Sequence, residues 1–190
     1  MTKRIKNQSN LRESTTNTTI NKNTPLSDIL KLAPACSCTA CAHGCTMGSG
    51  CLADGDVVRL AQFKGITEHE LKEKYLEEVE LFNKKMFRPK ILRQGKPYGT
   101  CIFHDPQKGC TVHPAKPLQC KISMGCKPYS AELTSWFALN HILNVNDPEA
   151  IRQYASFIEN GGTVIDGGTI EQLVPNRTMR KKMLNYEVLK

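Results

Sequence analysis

Apolar positions are spread unevenly along this chain. Residues 1–24 are rich in Asn, Thr, Ser and Lys and hold few large apolar side chains. They bury too little surface to offset the entropy of ordering, and read as a disordered polar tail. A short apolar run from Pro25 to Ala35 predicts one or two helical turns. Residues 36–51 hold three glycines and five cysteines, which reads as a knuckle and not as a regular helix. Val57, Leu60, Ala61 and Phe63 predict a helix from about Asp56, stopped by Gly65. Thr67-Glu-His-Glu70 has the S/T-x-x-E form of a capping box. It opens what reads as the longest helix, with Leu71, Tyr75, Val79, Phe82 and Met86 three or four apart and Arg88-Pro89 at its end.

Residues 90–100 are basic and turn-rich, as expected of a loop or strand edge. Cys101-Ile-Phe and Cys110-Thr-Val-His predict short strands around the turn Asp105–Gly109. Leu133, Trp136, Phe137, Asn140, His141 and Val145 predict a further helix. Asp147-Pro148 is an N-cap followed by Pro at the first helical position, opening a helix that runs through Ile158 and stops at Gly161-Gly162. The expected fold is an irregular, helix-rich α+β domain. In order it has a cysteine knuckle, two helices, a small cysteine-bearing hairpin and loop, and a C-terminal helical layer. The boundaries are a tail at 1–24, one metal-binding domain at 25–174 (cysteines at 36–126, helical layer at 130–174) and a basic tail at 175–190.

Composition sharpens that picture. The net charge is +8, but residues 36–174 carry 15 basic and 15 acidic groups, so the excess lies at the two ends. The middle is polarised: an acidic stretch from Glu68 to Glu80 precedes ten basic residues and one acid, Asp105, between Lys84 and Lys127. That basic block coincides with the later cysteines, where positive charge stabilises thiolates. Alternatively it is a solvated face, or pairs with the acidic stretch. No hydrophobic run approaches a membrane span and no signal-peptide core opens the chain, so a cytoplasmic protein without membrane contact is expected. In that compartment an odd cysteine count argues against a closed disulfide framework.

The cysteines carry the chemistry. Cys36, Cys38, Cys41, Cys45 and Cys51 form a dense group, and Cys101, Cys110, Cys120 and Cys126 a wider one. Thiolates two to four residues apart can point at one centre, as soft and borderline metals require. The nine allow two four-thiolate sites, each suited to Zn²⁺ or a four-cysteine iron–sulfur cluster, or one shared centre with spare thiols. His43, His104 and His113 are alternative ligands, more often found as surface or supporting residues.

The run from Cys101 through Cys110-Thr-Val-His113 and Lys116-Pro117 to Cys120-Lys121, with Cys38-x-x-Cys41 and Cys45 upstream, resembles the YkgJ-type cysteine-cluster family. These are zinc- or iron-chelating proteins related to the flagellin lysine-N-methylases. The resemblance covers about residues 36–127 and places Asp56 where the family's helix starts. It departs at Gly44, which stands where an adjacent Cys-Cys pair is usual, and at Lys116 and Lys121, which replace arginines. Cys36 and Cys51 are additions. The metal ligands it implies are Cys38, Cys41, Cys45, Cys101, Cys110, Cys120 and Cys126, and Cys51, standing in for the missing pair member, completes the eight expected ligands, with zinc or iron, including a 4Fe-4S cluster, as cofactor. Two outputs follow: a structural metal module with a protein partner, or an RNA contact through its basic ends, and an iron–sulfur protein in redox chemistry or lysine methylation. The neutral middle and the lack of an aromatic stacking platform count against nucleic acid. No glycine-rich methyl-donor loop and no C-x3-C-x2-C run supports the second.

Overall fold

A computed structural model describes residues 19–34, 36–123, 126 and 128–189. Of the expected polar tail, residues 1–18 lie outside the described part, while residues 19–24 are packed. Ile20 is buried and Asn21 forms a parallel bridge to Asp166. The Trp136 indole N–H donates to the Thr24 carbonyl at 2.9 Å. One apolar anchor and a few backbone bonds suffice to hold this segment against the C-terminal layer.

The N-terminal half begins with α1 (Leu26–Leu32), α2 (Thr39–Met47) and α3 (Asp56–Lys64). The cysteine knuckle is present, with Cys36, Cys38, Cys41 and Cys126 close together, but the expectation that this segment is not a regular helix is corrected, because Thr39–Met47 is helical. Of the three glycines only Gly44 lies inside it, and Gly48 and Gly50 follow its end. The spacing of Cys38, Cys41 and Cys45 is one helical face in sequence form. As predicted, α3 closes at Gly65, which adopts φ 66°. The capping residue of α4 (Glu68–Tyr75) is Thr67, whose hydroxyl accepts from the Glu70 amide at 3.1 Å.

The long helix expected to follow is two different elements. After Tyr75 the chain turns into a hairpin of β1 (Leu76–Leu81) and β2 (Lys84–Pro89), reversing at Phe82 and Asn83 with φ 48° and 56°. Spacings of three and four suit a helix, but the alternation of Glu77, Val79 and Leu81 with exposed Glu78 and Glu80 suits a strand equally well. Charge decides in favour of the strand. Glu77 lies opposite Arg88 and Glu80 opposite Lys85, so the acidic stretch and the start of the basic block are cross-strand partners. The Glu77 carboxylate accepts from Arg88 at 2.8 Å and from Arg93 at 2.6 Å.

Two short ladders carry the later cysteines. One pairs β3 (Ile91–Leu92) with β4 (Thr100–Cys101), the other β5 (His104–Asp105) with β6 (Gly109–Cys110). In the second, Asp105 Oδ1 accepts from the Gln107 and Lys108 amides, both at 2.8 Å, and closes the predicted turn. After α5 (Leu118–Ile122) comes the C-terminal layer of α6 (Ser130–Phe137), one π turn over residues 138–142, α7 (Pro148–Glu159), α8 (Ile170–Leu173) and α9 (Arg177–Leu184). Asp147 caps α7 as its sequence predicts. The basic end of the chain is packed, since Met183 of α9 is buried and Arg152 of α7 donates to its carbonyl at 2.8 Å.

Two apolar cores flank the cysteines. Leu60, Leu71, Leu76, Phe103 and Val112 build one beneath α3 and α4, and Ile29, Leu133, Phe137, Ile151 and Tyr154 build the other under the C-terminal layer. The whole is a helix-rich mixed fold with small antiparallel hairpins. No helix among the described residues is long and apolar enough to cross a membrane.

Candidate metal centre

Three of the nine thiols come from the start of α2 and the residues before it, and a fourth from the loop beyond α5. The sulfurs of Cys36, Cys38, Cys41 and Cys126 all lie within 4.8 Å of one another. Cys41 and Cys126 approach to 3.1 Å, Cys38 and Cys41 to 3.6 Å, and Cys126 and Cys36 to 3.6 Å. A single tetrahedral ion with metal–sulfur bonds of about 2.3 Å holds its four sulfurs about 3.8 Å apart. The donor set and spacing therefore fit one zinc or iron ion. Cys38 and Cys126 are exposed, Cys36 is half-buried and Cys41 buried.

Each thiol in this outer quartet has its own electrostatics. The Cys41 amide, in the first turn of α2, and the neighbouring thiols hold Cys38 down to about 6. Burial pushes Cys41 strongly up. Among the described residues no lysine or arginine contributes to either shift.

One helical turn on from Cys41, Cys45 faces a different neighbourhood. With Cys101 of β4, Cys110 of β6 and Cys120 of α5 it lines a cavity of about 440 Å³. These four stand in mutual electrostatic range. Burial raises the Cys45 thiol, Cys110 raises it further, and the nearby Lys116 ammonium opposes both. Cys101 is pushed up to about 11 by burial, and Cys120 to about 12 by burial. Lys116 lowers both. Lys116 is itself buried, so this inner set has a cation of its own. Unlike the outer quartet, the inner sulfurs do not, among the described residues, close to within 4.8 Å as a group.

The surrounding backbone is fitted to the inner set. Gly50 donates its amide to Cys120 Sγ at 3.3 Å, and a Cβ at Gly50 would lie 2.9 Å from that sulfur. Only glycine permits so close an approach. The neighbouring Cys51 amide donates to the Gln119 side-chain carbonyl. Asp56 is almost fully buried, and its Oδ2 accepts from the Ala53 amide and from the Leu118 amide, both at 2.9 Å. Its other oxygen pairs with Arg59, which also donates to the Lys116 carbonyl at 3.1 Å. Asp56 therefore sits in the first turn of α3 and caps α5, two residues from Cys120.

The structure brings Cys38, Cys41 and Cys126 together in one group and Cys45, Cys101, Cys110 and Cys120 around one cavity. Cys36, absent from the expected ligands, completes the first group. Its partner Cys126 stands 90 residues away, so no spacing rule points to it. Cys51 is buried in the C-terminal core, and Arg88 is the charge that acts on it. Its place in the cavity wall is beside the inner set and not among the sulfurs that influence one another. His43 is exposed on α2, and His113 Nε2 lies 3.4 Å from the Cys36 carbonyl. Asp56, Gly50 and Gln119 escape the sequence as site residues, because each acts through a backbone contact about 60 to 70 residues away.

A family model described as CxxCxxCC, "Putative zinc- or iron-chelating domain", matches residues 37–140. No curated protein and no solved structure matches the chain.

Proposed function

The chain belongs to the zinc- or iron-chelating CxxCxxCC family, and we propose that it is a two-centre thiolate metal protein whose metal holds its two halves together. One observation carries the reading: the thiols of Cys36, Cys38 and Cys41 converge to within 4.8 Å of one another and of Cys126, whose place in the chain is 85 residues beyond Cys41. At the outer quartet Cys36, Cys38, Cys41 and Cys126 hold one ion, read as zinc because four thiolates and no open position suit a closed structural zinc site. At the inner set Cys45, Cys101, Cys110 and Cys120 hold the second centre, with Lys116 offsetting thiolate charge and Asp56 fixing the turn that presents Cys120. The metal is structural, because its ligands come from α2, two separate hairpin ladders, α5 and the following loop. None of these short elements has a core of its own. The ordered surface then serves as an interaction face for a protein partner.

A second reading has one observation in its favour. The inner cavity, at about 440 Å³, is far larger than a single ion needs, and its sulfurs are not drawn into a tight quartet. Both features suit an iron–sulfur cluster, in which each thiolate binds a different iron. On this reading the chain is a redox protein, or a methylating one if the likeness to the lysine-N-methylases extends to activity.

Metal and sulfide analysis of protein purified without oxygen tests both. Two zinc per chain without sulfide supports the structural reading. One zinc with about four iron and four sulfide supports the second. Protein that folds fully without metal refutes both.

A further inference from the structure

Cys41 and Cys45 stand one turn apart on α2, yet one belongs to the outer quartet and the other to the inner set. A second cleft, of about 470 Å³, is lined by Cys36 and Cys41 of the outer quartet and by Cys45 and Cys110 of the inner set. His104 and His113 line it too, as do Lys108 and Lys116. His104 is the direct cross-strand partner of Cys110, so their side chains share one face of the hairpin. Its Nδ1 is shielded from solvent and has no hydrogen-bond partner among the described residues. A buried ring nitrogen without a partner is uncommon in folded proteins, and an absent ion or water is a standard cause. His113 is half-buried, and its Nε2 meets the Cys36 carbonyl at 3.4 Å. A carbonyl only accepts, so Nε2 is the donor in that contact.

We infer that this cleft is a transit route along which a divalent metal ion passes between the exposed outer quartet and the inner cysteines, with His104 and His113 as transient ligands. The inference rests on the two-centre reading above. Exposure gives the direction: the two exposed thiols, Cys38 and Cys126, belong to the outer quartet, whereas the inner thiols are half-buried or, at Cys101, buried. Imidazole and thiolate are both good ligands for zinc and neighbouring metals, so exchange between them is close to balanced. Each step makes one bond from the metal to an incoming nitrogen or sulfur and breaks one bond to the departing nitrogen or sulfur, which keeps its electron pair. Each inner thiol releases a proton to solvent as it binds and each outer thiolate takes one up as it leaves, so protons balance over the transfer and no electron changes hands.

The test follows zinc leaving the zinc-loaded full-length protein for an excess of a coloured chelator. Metal content and melting temperature are recorded beside the rates. The native protein gives a fast phase from the outer quartet and a slow phase from the inner set. His104→Gln with His113→Gln keeps both metals and slows the slow phase at least fivefold, leaving the fast phase unchanged. An unchanged or accelerated slow phase overturns the route, and acceleration would make the histidines ordinary stabilising ligands. If the double variant does not fold, His113→Gln alone must slow the slow phase measurably, and failure to do so also overturns the route. A native protein with one zinc and one phase refutes the two-centre reading instead, and the route with it.

Discussion

The outer and inner cysteine groups are built from the same side chain and differ in almost everything else. The outer quartet takes three ligands from six consecutive residues and a fourth from a loop, and two of its thiols are exposed. The inner set draws on four separate elements around a cavity, with a buried lysine beside it and a buried aspartate behind it. Cysteine count and spacing describe both groups equally well. The nearest cation separates them, since, among the described residues, Lys116 acts on the inner thiols only. Burial does not, for it pushes Cys101 and Cys120 up to about 11 and about 12 and pushes Cys41 of the outer group up as well, leaving Cys38 as the thiol held down, at about 6. A thiolate at Cys101 or Cys120 forms readily only when a metal displaces its proton, and because the inner ligands come from four separate elements, that binding is coupled to folding.

The largest effect follows from that coupling. Cys120→Ser or Cys110→Ser removes an inner ligand, and the variant is expected to lose the inner metal and cooperative melting together, since structural thiolate sites supply on the order of 10 kcal/mol. Calorimetry with metal analysis reads both at once. Full metal with unchanged melting would break the distinction. Next comes Asp56→Ala, which leaves the Ala53 and Leu118 amides and Arg59 without their acceptor. A loss of about 3 kcal/mol is expected, seen as a melting point lower by roughly 6–12 °C for a chain of this size, with the outer metal retained.

Cys126→Ser should be milder. It opens the exposed quartet and removes one metal, while the inner set stays protected from alkylation in a mass-spectrometric thiol map. Equal loss of protection at Cys101 would show that the two groups are one. The smallest effect concerns neither group. Arg93, and after it Arg88, holds the Glu77 carboxyl below its usual range. A lowered folded value means stability that is present above the unfolded carboxylate value of about 4.3 and is lost as pH falls through the lower folded one. Glu77→Gln is expected to cost about 1 kcal/mol at pH 7, read from denaturant midpoints, with the gap to the native protein narrowing only in acid.

Much of the local structure was written in the chain. Gly65 stops α3, Asp147-Pro148 starts α7, and Asp105 closes the cysteine hairpin, because each acts on backbone within three residues of itself. The β1–β2 hairpin was hidden because Leu71, Tyr75, Val79, Phe82 and Met86 satisfy a helical period. The deciding term is pairing of Glu77 and Glu80 with Arg88 and Lys85, which exists only once the chain reverses. That reversal uses Phe82 and Asn83 at positive φ, with no glycine to announce it. α2 was masked by its glycines and cysteines, although Cys38, Cys41 and Cys45 already carried its period. Two four-thiolate sites were one arrangement the sequence allowed, but which cysteines share a group was not legible. Cys36 meets Cys126, and Cys45 faces Cys101 and Cys110, only after the hairpins fold.

The most direct test of two separate centres is the metal and sulfide content of the purified native chain and of Cys36→Ser, measured side by side by native mass spectrometry. The account predicts that the variant lacks one metal ion and keeps the complete inner centre. A variant with undiminished metal, or one that loses everything, would contradict it.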